Sequence, residues 1–207
     1  MADERPDDKK LKDEITWMKQ LAEEGRNSPI AGGIVGIWWG LLSFVMMMVH
    51  WGVMTSRLPM PIQNVGWLWL AYVIVGSLGT YLLVRRMLGE PGADSMNSQI
   101  AGSTWMLASA GIFTFSLGSV IGMFGFGVPY WIFNAILPVA LICYGIANGV
   151  AALLTGNLRS GLVSAASYAL ALVMFPFLLT STIYLIAAFA ILFIAVMSAL
   201  SQGKTDK

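Results

Sequence analysis

Histidine and methionine are the side chains of this 207-residue chain whose clustering suggests ligand chemistry. The single histidine, His50, lies in the run MMMVHWGVM, where Met46 or Met47 and Met54 share its face at helical spacing. Thioether and imidazole groups suit a soft metal ion such as Cu(I). Ligands from one helix do not enclose an ion, however, and methionine also serves as an adaptable apolar filler. We therefore predict no metal site and no cofactor, and name Met47, His50 and Met54 only as soft-metal candidates.

A pair of asparagines in the predicted fourth helix is a second candidate. Asn134 and Asn148 are 14 residues apart, so at 3.6 residues per turn they lie within about 40° of each other on one helix face. Amides at membrane depth join helices through hydrogen bonds worth about 0.6 to 2 kcal/mol each, or they line a polar path. No matching polar stripe stands out on the other predicted helices. A helix contact is therefore favoured, with a polar path as the alternative.

Glycines at four-residue spacing recur in three of the predicted helices. Such ridges let helix backbones approach closely. They indicate either packing within the bundle, which is favoured, or a dimer face or substrate path. These glycines are Gly32, Gly36 and Gly40 in the first helix, Gly118 and Gly122 in the third, and Gly145 and Gly149 in the fourth.

The composition predicts that these residues lie in a membrane. The chain is 57% hydrophobic and 11% charged, whereas soluble domains carry roughly 25% charged residues. A bilayer core about 30 Å thick needs about 20 apolar residues per helix. We predict an all-α polytopic bundle of about six helices in a membrane domain of residues 27–201, with a polar tail at 202–207. The predicted spans are about 31–54, 65–84, 100–124, 131–154, 160–178 and 180–200, and Pro176 leaves open whether the fifth ends there or is kinked.

The polar head, residues 1–26, predicts a short amphipathic helix before the bundle. Leu11, Ile15 and Met18 recur at three- and four-residue steps and share one face. The helix is either an interfacial or partner-binding element, with Trp17 near the headgroups, or a solvated helix packed loosely on the bundle. The head holds six basic and eight acidic residues, so nucleic-acid binding is not expected. Its acidic start is also unlike a cleaved signal peptide.

The distribution of basic residues predicts the orientation. Six spans put eleven of the twelve basic residues on one side of the membrane and leave Arg57 alone on the other. Basic residues in short loops stay preferentially in the cytoplasm. We therefore predict a multi-pass protein of the bacterial inner membrane with both termini in the cytoplasm.

Several catalytic and transport classes are disfavoured. No Asp, Glu, Lys or Arg lies inside a predicted span, although ion-coupled carriers and intramembrane carboxylate hydrolases need such groups. The single cysteine, Cys143, cannot form an internal disulfide or a thiolate zinc cluster. The polar loop at 88–98 carries none of the usual catalytic motifs. We predict that the protein is not an enzyme.

Two segments resemble known membrane proteins. LAEEGRNSPIAGG at 21–33 is similar to the start of a group of uncharacterised bacterial inner-membrane proteins, a resemblance that implies no activity. YGIANGVAALLTGNLRSG at 144–161 resembles a hairpin of the six-helix acetate-uptake family. Asn27, Pro29 and Gly32 match the opening signature of that family only loosely, and its two-proline pattern is missing. No site residues are carried over from either resemblance.

Together these patterns predict an accessory, regulatory or scaffold subunit. The expected partners are the lipid bilayer and either another protein or further copies of the chain, with the head helix as the cytoplasmic contact. The alternative is a passive channel or uniporter for a small solute, lined by uncharged polar groups.

Overall fold

Six long helices form the membrane domain. The computed structural model describes residues 32–87 and 96–202, together with residues 12 and 14–18 of the head. The long helices are α1 (Gly32–Met54), α2 (Val65–Met87), α3 (Met96–Phe126), α4 (Ile136–Thr155), α5 (Leu158–Met174) and α6 (Thr182–Gln202). Short 3-10 helices at Ile62–Asn64, Tyr130–Phe133 and Phe175–Phe177 join them, and the described residues contain no strand.

All six helices are long and apolar enough to cross a membrane. In hydrocarbon the backbone N–H and C=O groups have no water to bind, and an α-helix satisfies them within itself. The predicted all-α bundle of about six helices is confirmed. The chain is a multi-pass membrane protein. Of the predicted head helix, residues 14–18 are described and helical, whereas residues 88–95 of the polar loop and the tail from 203 onward lie outside the described part.

Prolines and one glycine determine several helix ends. Helix α4 begins at Ile136, later than the predicted start at 131. Pro138 lacks an N–H and is tolerated only in the first turn of a helix, so a start at Ile136 places it where it fits. Helix α5 ends at Met174, and Pro176 lies in the following 3-10 helix. Pro176 therefore separates two helices and does not kink one. Gly156 closes α4 with φ of 64°, a left-handed conformation that glycine adopts without steric cost.

The bundle has a four-helix core and two flanking helices. The most extensive contacts run between α1 and α6 and between α4 and α5. The buried apolar cluster comes from these four helices and includes Met47, Leu141, Met174, Ile183 and Ile194. Helix α2 packs mainly on α1, and α3 packs mainly on α4. We call α1, α4, α5 and α6 the core helices and α2 and α3 the flank helices.

Three of the predicted glycines lie at close helix contacts. A Cβ atom at Gly40 of α1 would overlap the Cβ of Ala195 in α6. A Cβ at Gly145 would lie 2.7 Å from the ring of Tyr168 in α5, and Gly149 lies against the same helix. These glycines allow the core helices to approach closely.

Gly36, Gly118 and Gly122 are not at contacts between helices. Apart from the adjacent residues and the backbone of the same helix, no described atom lies within 4 Å of the Cβ position of Gly36 or Gly118. The neighbour of Gly122 is Val128 in the turn after its own helix. The surroundings of Gly32 lie outside the described residues. The ridge pattern therefore marks helix contacts only in part of the bundle.

Two glycines of α2 contact tryptophan rings of α1. The spacing of the glycines in the sequence did not indicate these contacts. The Trp39 ring fills the space that a Cβ at Gly76 would need, and the Trp38 ring does the same at Gly79. Trp38 Nε1 donates to the Gly76 carbonyl oxygen at 3.1 Å, and Trp39 Nε1 donates to Thr80 Oγ1 at 2.8 Å. Shape and hydrogen bonding together join α2 to the core.

Candidate functional site

His50 lies in a hydrogen-bonded aromatic cluster at the end of the bundle where α1 ends and α2 begins. Trp69 Nε1 of α2 donates to His50 Nδ1 at 3.1 Å. The imidazole stacks on the ring of Tyr184 in α6, with centroids 3.8 Å apart and planes 29° apart. The Tyr184 hydroxyl donates to Asn134 Oδ1 at 2.5 Å. We call His50, Trp69, Tyr184 and Asn134 the His50 cluster.

The His50 cluster has a defined proton arrangement. An indole N–H is only a donor, so His50 Nδ1 must accept, and the proton of the neutral imidazole lies on Nε2. Nε2 has no hydrogen-bond partner among the described residues. General acid–base catalysis by histidine normally uses a carboxylate to orient the ring, and here a tryptophan takes that place. The contacts of His50 are those of a group that joins α1, α2 and α6.

The soft-metal candidates do not present a set of free donor atoms in this arrangement. The Nδ1 lone pair accepts the Trp69 proton, and Nε2 carries the imidazole proton. Met47 is buried in the apolar cluster, and Met54 packs against that cluster. A metal ion at His50 would therefore have to displace the Trp69 hydrogen bond or the Nε2 proton.

Asn134 fastens the start of α4 to α6. The sequence predicts that Asn134 lies in the fourth helix, but α4 begins at Ile136, so Asn134 lies in the preceding turn. Its side-chain amide donates to the Leu178 carbonyl oxygen at 2.6 Å while its oxygen accepts from Tyr184. Both ends of the amide are therefore paired, and the side chain is buried.

Asn148 makes a second contact with α6, deeper in the bundle. The Ser198 hydroxyl donates to Asn148 Oδ1 at 2.8 Å, and Asn148 Nδ2 donates to the Tyr144 carbonyl oxygen at 2.9 Å. The side chain is 0% exposed. Asn134 and Asn148 thus both contact α6, although Asn134 precedes α4 and does not share a face of that helix with Asn148.

Serines of α5 and α6 continue the polar groups around Asn148. Ser164 of α5 donates to the Gly145 carbonyl oxygen of α4 at 2.6 Å. The hydroxyls of Ser160 in α5 and Ser201 in α6 lie 3.2 Å apart. We call this buried group the serine–asparagine seam; its members are Asn148, Ser160, Ser164, Ser167, Ser198 and Ser201.

The expectation that no polar stripe would match the asparagines is wrong. Ser160, Ser164 and Ser167 recur at four- and three-residue steps in α5 and face the core. That spacing was visible in the sequence, but serine is common in membrane helices and its small side chain gives a weak hydropathy signal. Hydrogen bonds join members of the serine–asparagine seam to one another, to Asn157 and to backbone carbonyls.

The described bundle provides no charged group for catalysis or ion coupling in its interior. Residues 32–87 and 96–202 contain no Asp or Glu, and their only basic residues, Arg57, Arg85, Arg86 and Arg159, lie at or beyond helix ends. The Arg57 guanidinium lies 4.4 Å from the centroid of the Trp51 ring, a cation–π contact at the membrane boundary. The described residues contain no group of three or more His, Cys, Asp or Glu placed to hold a metal ion.

The chain matches no protein-family model, no curated protein and no solved structure. What the fold itself defines is the class of multi-pass α-helical membrane proteins. Function must therefore be argued from the contacts and exposed surfaces of this chain.

Proposed function

We propose that the protein is a non-enzymatic accessory, regulatory or scaffold subunit that acts by binding another protein through its head helix. The observation that carries the proposal is the exposure of apolar side chains in the described part of the head. Ile15 is 42% exposed, Met18 is 55% exposed and Trp17 is 60% exposed. This helical turn therefore has apolar surface to offer to a partner.

The charge of the head favours a protein over the bilayer surface as that partner. Six basic and eight acidic residues give the head a net charge of −2. Helices that lie in the membrane interface carry a basic polar face, because the cytoplasmic leaflet is anionic. An acidic head is repelled by such a surface. A protein with an apolar groove and basic rim fits it better.

The membrane domain supports the same proposal. Proton relays and ion-coupled carriers place ionisable residues in the bundle interior. The described spans contain no Asp, Glu or Lys and no interior Arg, and their one histidine, His50, contacts Trp69 and Tyr184 at an end of the bundle. The buried serines and asparagines make hydrogen bonds between helices or within them. The domain is therefore best suited to anchor and position the head.

The competing proposal, a passive channel or uniporter, would use the serine–asparagine seam as its polar path. Its members are 0 to 8% exposed, and Asn148 and Ser164 are bonded to neighbouring helices. A solute would have to break these contacts in order to pass. The seam is better explained as helix packing.

A co-purification experiment tests the proposed function. The full chain and the variant Ile15→Ala/Trp17→Ala/Met18→Ala are isolated in mild detergent from the native cell. We expect a reproducible second protein with the unaltered chain and its loss with the triple variant, because the variant removes the exposed apolar surface.

Trp67→Ala is the matched control, since Trp67 is 71% exposed but lies on α2. This variant should retain the second protein. Recovery of the chain alone in all three preparations would contradict the proposal.

A further inference from the structure

An apolar groove runs along α5 and α6 at the end of the bundle where α5 begins. Its volume is about 480 Å³, within the range of roughly 300 to 1,000 Å³ that ligand sites occupy. Leu162 and Leu200 on its walls are 62% and 65% exposed, so the groove opens toward the lipid. Its lining residues are Arg159, Leu162, Val163, Ala166, Phe193, Met197, Leu200 and Ser201.

The mouth of the groove carries a positive charge that the described bundle does not neutralise. Arg159 is the second residue of α5 and is exposed. Residues 32–87 and 96–202 contain no Asp or Glu that could pair with it. Its backbone N–H donates to Asn157 Oδ1 at 2.9 Å, a bond that caps the helix and does not involve the guanidinium. The partial positive charge of the helix N-terminus adds to that of the side chain.

We propose that this groove binds an anionic phospholipid, with an acyl chain against its apolar walls and the headgroup phosphate at Arg159. Arg159 lies at the very end of a membrane span, which is the depth of lipid headgroups. A guanidinium binds phosphate through two parallel N–H donors. Basic pockets between transmembrane helices are also the usual sites for anionic headgroups.

The groove dimensions fit part of one acyl chain. From Arg159 to Ala166 the helix rises about 10 Å, so the walls contact the half of a chain nearest its headgroup. Phe193 and Met197 of α6 face the same space. The proposal depends on neither the orientation of the protein in the membrane nor the partner of the head helix.

Native mass spectrometry of the full chain in mild detergent tests this proposal. Phosphatidylglycerol and phosphatidylcholine with the same acyl chains are added separately, and the bound fraction of each is titrated. We expect phosphatidylglycerol to bind about fivefold more tightly, because one basic residue near an anionic headgroup contributes about 1 kcal/mol. Equal affinity for the two lipids would overturn the proposal.

Four variants test whether the lipid binds in the groove. Arg159→Gln should abolish the preference for phosphatidylglycerol, and Arg159→Lys should retain part of it. Leu162→Trp should weaken both lipids, because the larger side chain fills the groove. Arg85→Gln, which removes an exposed charge at the end of α2, should change neither affinity.

The substituted side chains are exposed, so each variant should keep its helical circular dichroism and its elution volume. If Arg85→Gln reduces phosphatidylglycerol binding as much as Arg159→Gln does, general surface charge and not the groove binds the lipid. That result, or unchanged binding by Arg159→Gln, would overturn the assignment.

Discussion

The core helices and the flank helices differ in how they are held. Buried residues make up 22 to 50% of the most apolar stretch in each core helix, against 6% in both α2 and α3. The core helices meet through glycines, a buried apolar cluster and buried hydrogen bonds. Helix α2 depends on two tryptophans of α1, and α3 depends mainly on α4.

This difference shows where the bundle derives its specificity. In lipid there is little hydrophobic drive between helices, so association depends on close packing and hydrogen bonds. The core helices meet in this way on several sides, whereas each flank helix packs mainly on one neighbour and leaves most of its surface to lipid or to a partner. Substitutions at contacts should therefore cost more in the core than on the flanks.

The largest effect is expected for Gly40→Ala. The new methyl group would overlap the Cβ of Ala195, and α1 and α6 would have to separate. Overpacking of this kind costs about 1 to 3 kcal/mol. Gly36→Ala on the same helix is the control, since its Cβ meets no described atom within 4 Å. Denaturant unfolding in detergent should show a loss for Gly40→Ala only; equal losses would mean that the contact is not tight.

Gly76→Ala should loosen α2 from the core. The added Cβ displaces the Trp39 ring and thereby its hydrogen bond to Thr80. We expect faster backbone hydrogen exchange confined to α2, with a cost of about 1 to 2 kcal/mol. Gly66→Ala, also in α2 but with open space around it, should leave exchange unchanged. Exchange that rises equally in the core helices would show that α2 is not a separate flank.

Asn148→Leu should cost about 0.6 to 2 kcal/mol, the range for interhelical hydrogen bonds in lipid. It removes the acceptor of the Ser198 hydroxyl inside the core. Ser116→Ala on α3 removes a bond that stays within one helix and should be nearly neutral. Thermal unfolding compares the two variants. In liposomes, solute uptake that Asn148→Leu abolishes while stability is kept would support the channel proposal instead.

The smallest effect is expected for Trp105→Phe. The Trp105 indole N–H is buried and has no hydrogen-bond partner among the described residues, and an unsatisfied donor costs about 1 to 3 kcal/mol. Removing this unsatisfied donor offsets the apolar contact that is lost with the smaller ring, so the free energy of unfolding should change little. The Trp38 N–H is bonded to the Gly76 carbonyl oxygen, so Trp38→Phe should lower the free energy of unfolding by about 1 kcal/mol. A larger loss for Trp105→Phe than for Trp38→Phe would contradict this view of the α3 contact.

Hydropathy was sufficient to predict the fold, because each span must satisfy its own backbone and cover itself with apolar side chains. The contacts between helices were harder to predict from the sequence. Glycine spacing predicted the contacts at Gly40 and Gly145 but could not distinguish them from the open position at Gly118. The distinction depends on whether a residue of a neighbouring helix lies opposite the glycine.

The candidate sites show the same limit. The spacing of Asn134 and Asn148 predicts a shared face of one helix, but Asn134 precedes α4, and the partners of the two residues, Tyr184 and Ser198, lie 50 residues away in the chain. The sequence groups His50 with the methionines of its own helix, whereas its contacts come from α2 and α6. Local periodicity cannot show a partner on another helix.

Photo-crosslinking from the head tests the central claim most directly. A photoreactive benzoylphenylalanine replaces Trp17 in the native cell, and Trp67, which is exposed on α2, is replaced in a control. We predict a single reproducible adduct with another protein from position 17 and none of that mass from position 67. Adducts from position 17 that contain only lipid or only a second copy of the chain would contradict a head helix that binds a different protein.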